Sequence, residues 1–257
     1  MKKIIIAITF LLITTAIFFT CLNDETQYNS YKKLEKHNID ASKILLSALY
    51  HSGNGQALNE IIYQNYHTSH FIDPETYERA IKTNNDVAMT RLAQIHEKET
   101  NEYNKVIELY IQAAKLDNIL AMLSLARIYE RGEIIQKNPK ESFKWKKRAS
   151  EFETGFLNLL TKSYEKGIGT NKSLIDAYAI YHFEYAHTIL LNINKDTLLN
   201  HYSFKKENFL KNKLKTLETK LSKEEVFKAR KISAKYIDQF FQEIEDNITG
   251  KRKEIVW

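Results

Sequence analysis

Apolar residues in the middle of the chain recur at helical spacing. Ala121, Leu125, Ile128 and Tyr129 line one side of a helix, and the run stops at Gly132. Glycine there takes the left-handed conformation that ends a helix without a Cβ clash. A second helix start follows: Asn138 can cap, Pro139 fits the first helical position, and Glu141 completes a capping box. Ser173 with Asp176 repeats that signal, Asp73–Pro74 gives it upstream, and Ser222 with Glu225 gives it again near the end. Both prolines therefore open helices. Seven Gly and two Pro amount to about one backbone breaker in 29 residues. All-β folds turn roughly every 8–12 residues and need more. The chain is expected to be all-α.

The pattern repeats at 35 residues. In that register Tyr110 falls on Trp145, Leu125 on Leu160, Tyr129 on Tyr164, Gly132 on Gly167 and Phe143 on Tyr178. A further copy lies 33 residues upstream, where Leu92, Ala93 and His96 match Leu125, Ala126 and Tyr129. Each copy reads as two helices, and a single copy cannot bury its apolar face alone. Tyr129, Trp145, Tyr164 and the alanines are therefore expected in the core.

Ala121, Leu125, Tyr129, Gly132, Trp145 and Ala149, followed by Leu160, Tyr164, Gly167, Gly169 and Ala177, resemble the pattern of the Sel-one-like repeat family, relatives of tetratricopeptide repeats. The chain departs from that pattern where the Leu-Gly glycine is Ala93, Ala126 or Thr161, where Gly169 is the one second-loop glycine, and where Ile180 takes the Trp place. The resemblance implies a right-handed α/α solenoid of stacked helix-turn-helix repeats with C-terminal capping helices. It places Sel-one-like repeats over 86–192, degenerate helical repeats over 40–85, and two long capping helices over 196–246. A polar linker is expected over 21–39 and a flexible tail over 247–257.

The N-terminus reads as an export signal. Lys2 and Lys3 precede an uncharged apolar run over 4–20, the layout of a bacterial secretory signal peptide or, uncleaved, of a membrane anchor. Cys21, the one cysteine, lies at the end of that run and is the candidate lipidation site of a periplasmic, membrane-tethered lipoprotein. A single cysteine excludes a disulfide framework.

The formal charge is +6, and loss of Lys2 and Lys3 would leave it at +4. No basic stripe with interleaved aromatics occurs, so nucleic acid is not an expected partner. Residues 205–235 carry 11 Lys/Arg against four Asp/Glu, which reads as the solvated face of a capping helix or as a contact for an acidic partner or an anionic membrane surface. No HExxH, GxSxG, Walker or dinucleotide fingerprint is present. His67 and His70 fall toward a loop, and the spacings of 2 to Glu184 and 5 to His187 put neither on the helix face of His182. Gly53-Asn54-Gly55 reads as a turn between helices. No enzyme, metal, cofactor or small-molecule substrate is expected.

The leading expectation is an exported non-catalytic scaffold for a protein partner in the cell envelope, since stacked helix pairs present an extended surface. Periodicity puts Arg91, Gln94, Ser124, Arg127, Lys162 and Ser163 on the exposed ridge of the first helices. The family resemblance also allows an immunity protein that neutralises a periplasm-acting antibacterial toxin, such as a type VI secretion lipase. An envelope hydrolase is the alternative from another class.

Overall fold

The computed structural model describes residues 24–37, 39–51, 54–68, 73–100, 102–193 and 200–249. The apolar N-terminal run, Cys21, His70 and the tail from 250 onward lie outside the described residues. The chain divides into two compact units, one ending at Glu99 and the other beginning at Thr100. The first contains α1 (Asp24–Glu35), α2 (Ile39–His51), α3 (Gly55–Thr68), α4 (Pro74–Ile81) and α5 (Asp86–Glu99). The second contains α6 (Tyr103–Lys115), α7 (Ile119–Arg131), α8 (Pro139–Phe152), a 3-10 turn (Thr154–Phe156), α9 (Asn158–Lys166), α10 (Leu174–Ile193), α11 (Asn200–Glu218) and α12 (Lys223–Ile248). Among the described residues all regular structure is helical.

In the first unit successive helices pack on one another. Tyr31, Leu46, Leu49 and Ala57 form one core cluster, with Tyr28, Leu45 and Ile61 against it. The segment expected as polar linker is therefore partly helix α1. Its apolar content is low, but Tyr28 and Tyr31 fall on one side and supply the burial. A polar network completes the contact: the Tyr28 hydroxyl donates to Glu60 at 2.6 Å and Lys32 reaches the same carboxylate at 3.3 Å. Burial opposes ionisation of Glu60, yet the donors Tyr28, Gln64 and Lys32 hold its carboxyl below the usual range. Helix α5 begins at Asp86, the residue from which repeats were expected. That helix pairs with α4 inside the first unit, so the division falls after Glu99 instead.

Three buried asparagines start helices in the same way. Asn54, Asn85 and Asn118 accept at their side chains from the backbone N–H of Ala57 (2.9 Å), Ala88 (2.7 Å) and Ala121 (2.9 Å). Each also donates its own N–H back to the preceding helix, at Leu49, Ala80 and Ala113. A helix start leaves N–H groups without intrahelical acceptors, and a short amide side chain satisfies one of them while burying little. Asn84 (φ 57) and Asp117 (φ 68) make the left-handed turn just before two of these caps. Of the segment read as a turn, Gly53 lies outside the described residues, and Asn54 is the first of these helix starts: it caps α3, and its amide also donates to Gln27 at 3.1 Å.

The 35-residue register holds in detail. Gly132 and Gly167 close α7 and α9 at φ 74 and φ 72, with their N–H groups bound to Ile128 and Ser163. The following loops return identically: Asn138 N–H donates to the Tyr129 carbonyl and Ser173 N–H to the Tyr164 carbonyl, both at 2.9 Å. Asn138 caps through Glu141 N–H at 3.2 Å. The box expected there is not reciprocal, because the Asn138 N–H is already spent on Tyr129, and Glu141 faces Lys144 at 3.5 Å instead. Asp73 caps α4, and Ser222 with Glu225 forms a full capping box at α12. Trp145 and Ala149 are buried between the helices of their copy, and Ile180 packs with Leu157, Leu160 and Phe183. Helices α11 and α12 both pack on α10, where Leu214, Leu217 and Ala229 meet Tyr178 and Ala179.

Candidate functional site

The first helices of the repeats bury more of their circumference than periodicity implied. In α7, Ser124 is 8% exposed, and in α9, Ser163 is 6% exposed. These two serines are inside rather than on the predicted ridge. A small hydroxyl side chain fits where helices approach closely, so period alone does not separate it from the surface set. Arg127 is half-buried and Lys162 exposed, at the same position of successive copies. In the first unit Arg91 donates to Gln94 Oε1 at 2.8 Å, so this pair is internally engaged.

Charge converges elsewhere in the second unit. One face of α8 and the loop 167–171 after α9 line a groove of about 840 Å³. Lys140, Lys144, Lys147 and Arg148 stand on that face at helical spacing with Glu141 and Glu151. Arg148 is held by Asp117 at 2.7 Å, and Lys144 lies 3.5 Å from Glu141. Lys140 and Lys147 are exposed and have no ion pair among the described residues. The groove exists because Gly169 (φ 74) sits directly on the start of α8, where an added Cβ would lie 2.0 Å from the Pro139 carbonyl oxygen. Sequence positions 140–151 and 167–171 converge only through this close approach, so linear pattern did not mark the groove.

A polar layer joins α10 to the C-terminal helices. The Tyr178 hydroxyl donates to Glu218 at 2.7 Å, and Arg230 reaches Glu218 at 3.2 Å. Tyr181 and Lys213 share Glu165, and Lys206 pairs with the buried Glu184 at 2.8 Å. His182 Nδ1 lies 2.9 Å from the fully buried Ser233 hydroxyl, while His187 packs on Phe240 at 4.7 Å. His182, Glu184 and His187 thus have three separate partners. Among the described residues no group of three His, Cys, Asp or Glu side chains converges as a metal site, and no helix is long and apolar enough to cross a membrane.

Burial holds the His182 imidazole below its ordinary pKa, with Arg230 lowering it further and Glu218 opposing. Burial does the same to His187, where Glu184 opposes and Lys206 lowers. Both rings bind fewer protons folded than unfolded below pH about 6.5. The stability they contribute is complete above that pH and falls as pH drops through the depressed folded values. Lowering pH from about 7.5 to about 5.5 is therefore expected to reduce Tm. In His182→Gln this fall becomes shallower; an identical slope in the variant and the unaltered chain removes His182 from the effect.

No protein-family model matches the chain, and no curated protein matches it in sequence. Solved structures do. One is a protective antigen present in uropathogenic Escherichia coli strains and displaying an SLR fold, matched at TM-score 0.60 and 16% identity over 90% of this chain. This chain spans about half of that structure's length (49%). Another is a Sel1 repeat protein from Oxalobacter formigenes, at TM-score 0.51 and 19% identity, covering 74% of this chain and 84% of that one. With the matching glycine stops, returning loops and consecutive helix packing, the fold of this chain is the all-α solenoid of Sel1-like repeats.

Proposed function

We propose that the chain is an exported, non-catalytic repeat scaffold that holds a protein partner in the bacterial cell envelope. The observation that carries this reading is the repeat fold itself. Its apolar stripes and buried caps are spent on neighbouring helices, while Arg127, half-buried, and Lys162, exposed, stand at the same position of successive repeats, which suits a modular contact surface. Lys2, Lys3 and the apolar run after them support export, and Cys21 supports a lipid tether.

The test is a pull-down of the tagged full chain from cross-linked envelopes at about 50 mM and about 150 mM salt, which separates screened contacts from specific ones. One protein partner surviving the higher salt is expected. Arg127→Glu with Lys162→Glu is expected to weaken its binding about tenfold with helicity unchanged. Unchanged affinity removes the first-helix face from the interface, and capture of no protein at either salt removes the scaffold reading.

A further inference from the structure

In the basic groove on α8 two exposed cations, Lys140 and Lys147, stand without an ion pair among the described residues. We propose that this groove binds an acidic, extended segment of the partner protein. This rests on the scaffold reading and assigns the acidic part of the contact to the second helix of a repeat, not to the ridge of first helices. Lys140, Lys144 and Lys147 lie along one face of α8 at intervals of four and three residues. Lys140 and Lys147 are about 10 Å apart along the helix axis at ~1.5 Å per residue. Residues two or four apart share one face of an extended chain and lie ~7 or ~13 Å apart at ~3.3 Å per residue, which brackets that spacing, so carboxylates on one face of a short strand reach both flexible ammonium groups.

The charge balance selects the occupant. Six charged side chains line the groove, four basic and two acidic. Asp117 holds Arg148 and Glu141 lies near Lys144, which leaves Lys140 and Lys147 against Glu151 and the groove with a net positive charge to offer. The opposite wall is the loop 167–171, carrying Thr170 and Asn171. Their side chains offer hydrogen bonds to a peptide backbone, and Phe143 supplies an apolar contact. A polar loop facing Lys140 and Lys147 across a concave groove suits a carboxylate-bearing peptide better than a flat lipid surface.

The experiment measures fluorescence anisotropy of a fluorescein-labelled hexaglutamate peptide on the full chain. Lys140→Glu with Lys147→Glu is expected to weaken binding at least about tenfold, since charge reversal at an interface changes affinity and salt dependence. Lys211→Glu with Lys215→Glu on α11 makes the same change of net charge and is expected to act less than about twofold. Lys140→Arg with Lys147→Arg is expected to retain binding, which separates lost charge from lost folding. Equal weakening by the groove and α11 reversals overturns the proposal in favour of nonspecific attraction. Loss of binding to phosphatidylglycerol vesicles in the groove variant, with hexaglutamate binding kept, overturns it in favour of lipid. Capture of the same envelope protein by the groove variant and the unaltered chain alike overturns the groove assignment and leaves the scaffold reading standing. Capture of none by the unaltered chain overturns both.

Discussion

Gly169→Ala is expected to destabilise the second unit by about 3 kcal/mol, the sum of two separate costs. The first is conformational: at φ 74 an L side chain meets its own backbone, worth about 1–2 kcal/mol. The second is contact. The new Cβ would lie 2.0 Å from the Pro139 carbonyl oxygen and 2.6 Å from its carbon. Neither atom belongs to a flexible side chain, so the loop after α9 must lift away from α8 at a cost of about 1–3 kcal/mol. Gly167→Ala separates the two terms. It has φ 72, but its nearest neighbour would be 3.4 Å away, ordinary contact, so the conformational cost of about 1–2 kcal/mol stands alone. Urea denaturation of both variants reads the difference. Equal midpoints would show that the approach of the loop to Pro139 relaxes freely and does not set the spacing of these repeats.

That glycine also shows how far sequence carries toward the fold. The helix stops at Gly132 and Gly167, the cap at Asp73 and the capping box at Ser222 are local, and each depends on residues within a few positions of one another. Local signals of this kind are legible in a single chain. The three Asn caps were equally local, as Asn-x-x-Ala at 54, 85 and 118, but Asn is common in loops and only the repeat of the whole motif gives it weight. Helix α1 was obscured because its two buried tyrosines sit among polar residues, and burial against α2 and α3 decides its structure. Ser124 and Ser163 were misplaced because small polar residues carry almost no periodic signal. The groove on α8 and the polar layer of α10 depend on residues far apart in the chain, and nothing in linear spacing announces them.

Glu243→Ala is expected to cost about 3 kcal/mol, because Glu243 caps a helix start in another part of the sequence. In the 35-residue register the place of the Asn118 cap is taken by Glu153, whose side chain makes no cap hydrogen bond to the 3-10 turn. Thr154, next in the chain, is 1% exposed, so its N–H has no access to water. The carboxylate of Glu243 on α12 replaces the missing cap. It accepts from Thr154 N–H at 3.1 and 3.3 Å and from the Thr154 hydroxyl at 3.0 Å, and Gln239 steadies it from one turn away at 3.0 Å. Removing the carboxylate orphans two buried donors, each worth about 1–3 kcal/mol. Glu243→Gln keeps an acceptor oxygen and loses the charge, so roughly half that cost is expected, because charge-assisted bonds are about twice as strong as neutral ones. In a solenoid the energy of an interface is felt mainly by its neighbours. Hydrogen exchange should therefore quicken at the Thr154 amide and along α12 while the amides of α6 and α7 keep their protection. An unchanged urea midpoint with Thr154 still protected would show that α12 is held by its apolar contacts on α10 alone, and that the carboxylate is a passenger of that packing.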